Sequence, residues 1–240
     1  MPETSVSNGV GLTVAKILTV GVCLIVALVI LWLAVPRAVA GAIMFGSQNT
    51  LIAARRGKVV TPADVQRLIA AQRSALAWSD SGESWIHNGY MLLYSTIRSP
   101  RIDKTVNRAA GKALYQGLSQ MPVNAEGWYW LAVVRQRDDG ASTKVASALR
   151  MSIFTGPHVP VLAIVRLRLM LRNWRQYSVD ERNSVYRQIQ FAWSVSPDGV
   201  VNIAVNSRND WPIRIALALQ PDDLKKFEEM LTEAKSKLAK

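Results

Sequence analysis

The chain has 240 residues, half of them hydrophobic by type, with 29 lysines and arginines against 17 aspartates and glutamates, a formal charge of +12 and a pI near 10.2. The basic excess points to an anionic partner or surface, whether phospholipid headgroups, an acidic polymer or an acidic protein face, with nucleic acid the least expected. The single cysteine, Cys23, excludes an intramolecular disulfide and a zinc cluster.

The first element is the uncharged, proline-free run ILTVGVCLIVALVILWLAV, residues 17–35, after a short tail of residues 1–16. At 1.5 Å per residue it is about 28 Å long, enough to cross a hydrocarbon core with every backbone hydrogen bond closed within the helix. Lys16 and Arg37 bracket it, and Trp32 sits near its end, where an amphipathic ring favours the interface. The rival reading is a cleaved secretory signal, for which Ala38-Val39-Ala40 supplies small residues. The run exceeds the usual apolar region of such signals and its leading segment carries little positive charge, so a retained transmembrane helix is the expectation. Orientation is nearly undetermined: Lys16 stands on one side and Arg37 with Arg55 on the other, which slightly favours a cytoplasmic domain.

Residues 36–60 read as a juxtamembrane linker and residues 61–240 as a soluble helical domain. Thr61-Pro62-Ala63-Asp64 is an N-cap, a first-turn proline and an acidic third position. They open an amphipathic helix through Val65, Leu68, Ile69, Ala75, Leu76 and Trp78, with Gln72 as a polar break in the stripe. Ser79-Asp80-Ser81-Gly82 ends it. The next helix carries Trp85, Ile86, Leu92, Leu93 and Ile97 and stops at Ser99-Pro100.

Ala113-Leu114 recurs as Ala148-Leu149 and Pro122 as Pro157, both at an offset of 35 residues, which suggests a helix-turn-helix repeat. Between these markers Pro122-Val123-Asn124-Ala125-Glu126 starts a helix that buries Trp128, Leu131 and Ala132, with Val134 close by. Asp138-Asp139-Gly140 turns the chain. The following helix presents Val145, Ala148, Leu149 and Ile153 before Thr155-Gly156-Pro157. Neither helix hides its apolar face alone, so the two are expected to pair and stack on neighbours.

The set Ala113-Leu114, Pro122, Asn124, Trp128 and Leu131-Ala132 resembles the junction between two tetratricopeptide repeats. It departs from that pattern at Ala132, where a glycine is usual, and at Lys144, where a small residue is expected; roughly residues 104–175 are covered. A looser resemblance adds the anchor, the segment Gly57 to Val65 leading to Ala75-Leu76-Ala77-Trp78, and Ser152, Gly156-Pro157, Arg166 and Trp174. Together these resemble small single-pass helical proteins of Gram-negative bacteria in envelope polysaccharide synthesis and export. The resemblance implies a bacterial inner-membrane protein with a periplasmic domain, against the mild indication of the flanking charges.

His158 to Trp174 reads as another helix, with Val161, Leu162, Val165, Leu169 and Met170 available for burial. Arg168, Arg172 and Arg175 fall on one face at spacings of four and three, and Arg166 with Lys144 or Arg150 is a candidate groove lining. Three readings of these arginines stand: a solvated face covering apolar surface, an anion-contacting patch, and ion pairing with Asp180, Glu181 or Asp138. Ser178-Val179-Asp180-Glu181 caps the next helix, which buries Val185, Ile189, Ala192 and Trp193 and ends near Ser196-Pro197. Val200 to Val205 reads as a short helix despite its β-branched content. Trp211-Pro212 opens another short helix. The last runs from Pro221 or Asp222 to Leu238, with Leu224, Phe227, Met230 and Leu231 as its stripe.

Of the eight tryptophans, Trp78, Trp85, Trp128, Trp174 and Trp193 are expected in the core, whereas Trp130, about 200° from Trp128 on its helix, is placed with Tyr129 on a contact surface. His87 and His158 stand outside any metal-ligand spacing, Asp80 and Glu83 occupy a turn and helix start, and no phosphate loop or nucleophile motif appears. The expectation is therefore an all-α chain, one transmembrane helix followed by an antiparallel array of tetratricopeptide-like hairpins. It acts as a non-catalytic scaffold or adaptor for a partner protein, with no cofactor or metal. Its candidate interaction surface is Tyr129, Trp130, Lys144, Arg150, Arg166, Arg168, Arg172 and Arg175. The alternative is a binding module for an anionic polymer or lipid headgroups; a glycan-processing enzyme is remote.

Overall fold

A computed structural model of the chain describes residues 7–55, 59–96, 102–207 and 210–238. Within them the chain is all-α: twelve α-helices and one 3-10 turn. Ile97, the Ser99-Pro100 stop and the Gly57-Lys58 part of the envelope resemblance lie outside the described residues. The helices divide into two compact units, one up to Asp80 and one from Ser81 onward.

In the first unit, α1 (Ser7–Phe45) starts within the expected tail and continues past Val35 through Pro36. Proline lacks the N–H that would close a bond to Trp32, and one residue on the Arg37 guanidinium donates to the Leu33 carbonyl at 2.9 Å. Side chains from Leu18 to Val35 are exposed throughout, so this apolar stretch is not a core helix of the unit. Leu18–Phe45 is the one helix among the described residues long and apolar enough to cross a membrane.

Within the stretch read as a linker, the end of α1 up to Phe45 is followed by α2 (Gln48–Arg55). Both pack against α3 (Pro62–Trp78). Ala40 and Leu51 are buried, as are Val65, Leu68, Ile69 and Ala75 of α3. The Thr61 cap forms as its residues dictate, its hydroxyl accepting from the Asp64 amide at 3.2 Å and donating to the Asp64 carboxylate at 2.6 Å. Gln72 is fully buried, yet neither end of its amide finds a hydrogen-bond partner among the described residues. Trp78, expected in the core, is 53% exposed.

The second unit begins with α4 (Gly82–Thr96) and α5 (Lys104–Gln120). It continues with α6 (Ala125–Asp139), α7 (Thr143–Thr155), α8 (Pro160–Arg172) and a 3-10 turn at Trp174–Gln176. After these come α9 (Val179–Val195), α10 (Pro197–Asn206), α11 (Trp211–Leu217) and α12 (Pro221–Leu238). Successive helices pair as α4 with α5, α6 with α7 and α8 with α9, while α4, α6, α8 and α10 touch in sequence. This tandem pairing is consistent with a helical-repeat arrangement. α11 packs on α9, and α12 covers α10.

The 35-residue echo has a structural counterpart. Ala113-Leu114 on α5 and Ala148-Leu149 on α7 are all buried, each pair lying on the second helix of its hairpin. α4 and α5 approach unusually closely: a Cβ on Gly117 would stand 2.7 Å from the Gly82 carbonyl oxygen and 2.6 Å from Ile86. Gly140 ends α6 at φ 69°, a conformation that glycine adopts without strain. A continuous core then runs from Tyr129 on α6 to Leu231 on α12 and includes Trp174 and Trp193.

Candidate interaction surface

α8 shows how one helix sorts its arginines. Leu162, Arg166 and Met170 follow at intervals of four on the buried side, so Arg166 enters the interior with its apolar neighbours. It is fully buried, and no carboxylate among the described residues pairs with it. Its Nε donates to the Ser152 hydroxyl at 3.0 Å, and its two terminal nitrogens donate to the Gly156 carbonyl at 2.7 Å and the Ser152 carbonyl at 2.5 Å. Those carbonyls belong to the last turn and cap of α7, which a helix leaves open. The Ser152 hydroxyl in turn donates to the Ala125 carbonyl of α6 at 2.6 Å. Arg166 thus ties three helices together, and burial holds its pKa down to about 10, still charged at neutral pH. It lines no groove with Lys144 or Arg150: Lys144 lies 3.6 Å from Asp139, and Arg150 pairs with Glu181.

Tyr129 also moves inward. It is buried against α8, and burial raises its phenol to about 12 although Arg168 and Arg172 pull the other way. Trp130 is half-buried, its ring centroid 4.6 Å from that of Tyr90 and 4.8 Å from that of Tyr129, with its N–H donating to Glu126 at 3.2 Å. Trp128, expected inside, is only half-buried and donates to the Pro122 carbonyl at 2.7 Å. The aromatic pair thus packs between helices, with Tyr129 buried and Trp130 half-buried.

The outer face of α8 carries Arg168 and Arg172, both exposed, with Val161 beside them 72% exposed rather than available for burial. Arg175, also exposed, stands in the 3-10 turn. None of these three arginines pairs with a carboxylate among the described residues. Arg168 and Arg172 border a depression of about 420 Å³ whose other wall is Asn202, Ile203 and Asn206 of α10.

A different concavity forms where the end of α7, the Pro157-His158 turn and the start of α9 meet. It encloses about 390 Å³ and is lined by Ile153, Phe154, His158, Tyr177, Val185 and Gln188, with Arg150, Glu181 and Arg187 around them. Phe154 is 80% exposed, an aromatic ring at the edge of a mostly apolar groove. The Glu181 carboxylate is committed: it accepts from the Ser178 backbone N–H at 2.8 Å and from Arg150, completing a capping box for α9. The Ser178 backbone bond, then its hydroxyl and Arg150, hold that carboxyl below the usual range. An ionised, doubly engaged carboxylate is poorly placed to move protons.

Two buried polar atoms on residues that line this groove have no hydrogen-bond partner among the described residues. The Tyr177 hydroxyl finds none, and the Gln188 side-chain carbonyl finds none although its NH₂ donates to the Pro157 carbonyl at 2.9 Å. Burial, with Glu181 nearby, pushes the Tyr177 phenol up. Neither residue was singled out from sequence; Gln188 had a signal, a polar residue three after Val185 and four before Ala192 in a buried stripe. His87 is 3.8 Å from Glu83 one turn away on α4, and no metal-holding cluster of acidic, histidine and cysteine side chains occurs among the described residues. Compared with known proteins, the chain matches no family model and no curated protein.

Proposed function

We propose that the chain is a single-pass, membrane-anchored adaptor that holds a segment of a partner protein in the groove between α7 and α9, with no bond chemistry of its own. One observation carries the reading: Phe154 exposes 80% of its surface at a concavity whose lining also includes Ile153 and Val185. An exposed aromatic ring beside a preformed concavity is the anatomy of a binding hot spot. The apolar run of α1 supplies the mooring, and confinement to a membrane raises the effective concentration of a partner there. The resemblance noted in the sequence adds the setting, an assembly for envelope polysaccharide synthesis or export with the array on the periplasmic side.

The test is a photo-crosslinking amino acid placed at Phe154 in cells that make the full chain, with the same group at exposed Tyr115 on α5 as control. The adaptor reading expects a discrete protein adduct from position 154 that the control does not give. Equal labelling from both positions, or none from either, contradicts it.

A second reading is favoured by the unpaired Arg168 and Arg172 beside Asn202 and Asn206: these bind an anionic polymer or lipid headgroup. Its affinity falls steeply with added salt and is lost in an Arg168→Glu, Arg172→Glu double variant; adduct formation at Phe154 changes little under either treatment.

A further inference from the structure

Resting on the anion reading of the outer face of α8, we infer that the depression between α8 and α10 binds a phosphomonoester carried on a hydroxylated body such as a sugar. Arg168 and Arg172 grip the phosphate, and the asparagines of α10 meet the hydroxyls. The shape has a local cause. A Cβ on Gly199 would stand 2.8 Å from Ile164 Cδ1, so α8 and α10 are pinched together at that level. One to two turns further along both helices the depression of about 420 Å³ opens, with Arg168, Leu171 and Arg172 on one wall and Asn202, Ile203 and Asn206 on the other. That volume lies within the range of small-molecule sites.

Charge decides the class of ligand. Both guanidinium groups are exposed, neither pairs with a carboxylate among the described residues, and no acidic side chain lines the depression. Two uncompensated cations one helical turn apart match a group that carries about two negative charges. A phosphomonoester does so at neutral pH, whereas a carboxylate or a phosphodiester carries a single one. The asparagines set the rest of the description. Asn206 Nδ2 donates to the Asn202 carbonyl and to Asn202 Oδ1, at 2.8 Å each. This bracing leaves the exposed Asn202 NH₂ to donate and the exposed Asn206 Oδ1 to accept, neither with a partner among the described residues. An ionised phosphate offers nothing to an acceptor such as Asn206 Oδ1; a hydroxyl beside it does. Leu171 and Ile203 add apolar surface against which the C–H face of a sugar can lie.

The experiment titrates the full chain in detergent micelles by calorimetry with glucose 6-phosphate, glucuronate and inorganic phosphate, and in parallel with phosphatidylinositol 4-phosphate doped into the micelles. Glucose 6-phosphate should bind about tenfold more tightly than glucuronate, and Arg168→Gln and Arg172→Gln should each weaken it about tenfold without changing the chain's melting. Asn206→Ala should weaken it about threefold and leave inorganic phosphate as before. Binding of glucose 6-phosphate identifies a free ligand, and binding of the phosphoinositide alone a lipid-borne one; both uphold the chemistry. Inorganic phosphate binding as tightly as glucose 6-phosphate overturns the hydroxylated body. If glucuronate equals glucose 6-phosphate and both respond to the arginine variants, the phosphate inference fails and the anion reading survives. If no anion binds, or the Arg168→Glu, Arg172→Glu double variant leaves the binding of every anion unchanged, both fail.

Discussion

The two faces of α8 put the same residue type to opposite uses within seven positions. Arg166 is enclosed and hydrogen-bonded to the open carbonyls of α7, whereas Arg168 and Arg172 stand in solvent with no carboxylate among the described residues to pair with. Composition gives all three the same charge; helical phase decides which becomes a tie between helices and which stays free for a ligand. A strongly basic chain can thus spend part of its charge on its own framework.

The largest effect expected from this contrast is on stability. Arg166→Met keeps much of the volume but strands the Ser152 and Gly156 carbonyls, and it should cost about 3 kcal/mol in urea unfolding. Arg168→Ala and Arg172→Ala should each stay within about 0.5 kcal/mol. Equal losses at all three positions break the contrast. Next comes Asn173, fully buried at the end of α8. Its NH₂ donates to Gln136 at 2.6 Å and to the Leu169 carbonyl at 2.9 Å, and its oxygen accepts from the Ser142 N–H at 3.1 Å. Asn173→Ala should cost about 2 kcal/mol by the same measurement.

Smaller and opposite in sign is Gln72, a buried amide that, among the described residues, has none of the ties that justify Arg166 and Asn173. Gln72→Leu should raise the stability of the full chain by about 1 kcal/mol, read as a higher melting temperature. A loss there means that the amide has a partner in the membrane-bound protein. An effect of similar size, about 1 kcal/mol at neutral pH and smaller in acid, belongs to Glu181. Its folded pKa lies below the unfolded one, so its contribution is complete above the unfolded value near 4.3 and is lost as pH falls through the folded value. The stability gap between the native chain and Glu181→Gln should therefore be widest at neutral pH and close below about pH 4.

Helix boundaries were legible wherever a cap spells itself out. Thr61-Pro62, Asn124 and Ser178 with Glu181 each sit where the residues place them. The 35-residue echo, a purely local signal, located the second helices of two hairpins. Tyr129 lies buried and Trp130 half-buried because α6 touches α4, α5, α7 and α8, so a half-turn offset alone does not decide exposure on this helix. Arg166 did announce itself, four residues after Leu162 and four before Met170, yet its charge outweighed its phase in the reading. Nothing local identifies Tyr177 and Phe154 as walls of one groove. Their meeting depends on where α9 returns beside the end of α7, and an apolar residue next to Ile153 looks like packing until the neighbouring helix is in place.

The most direct test of a moored adaptor takes membranes from cells carrying the photo-crosslinker at position 154, irradiates them, washes them at alkaline pH and locates the adduct. The account predicts the chain and its crosslinked protein partner together in the alkali-resistant pellet, released only by detergent. Recovery of the chain in the alkaline supernatant, or a pellet holding the chain with no protein attached, would contradict it.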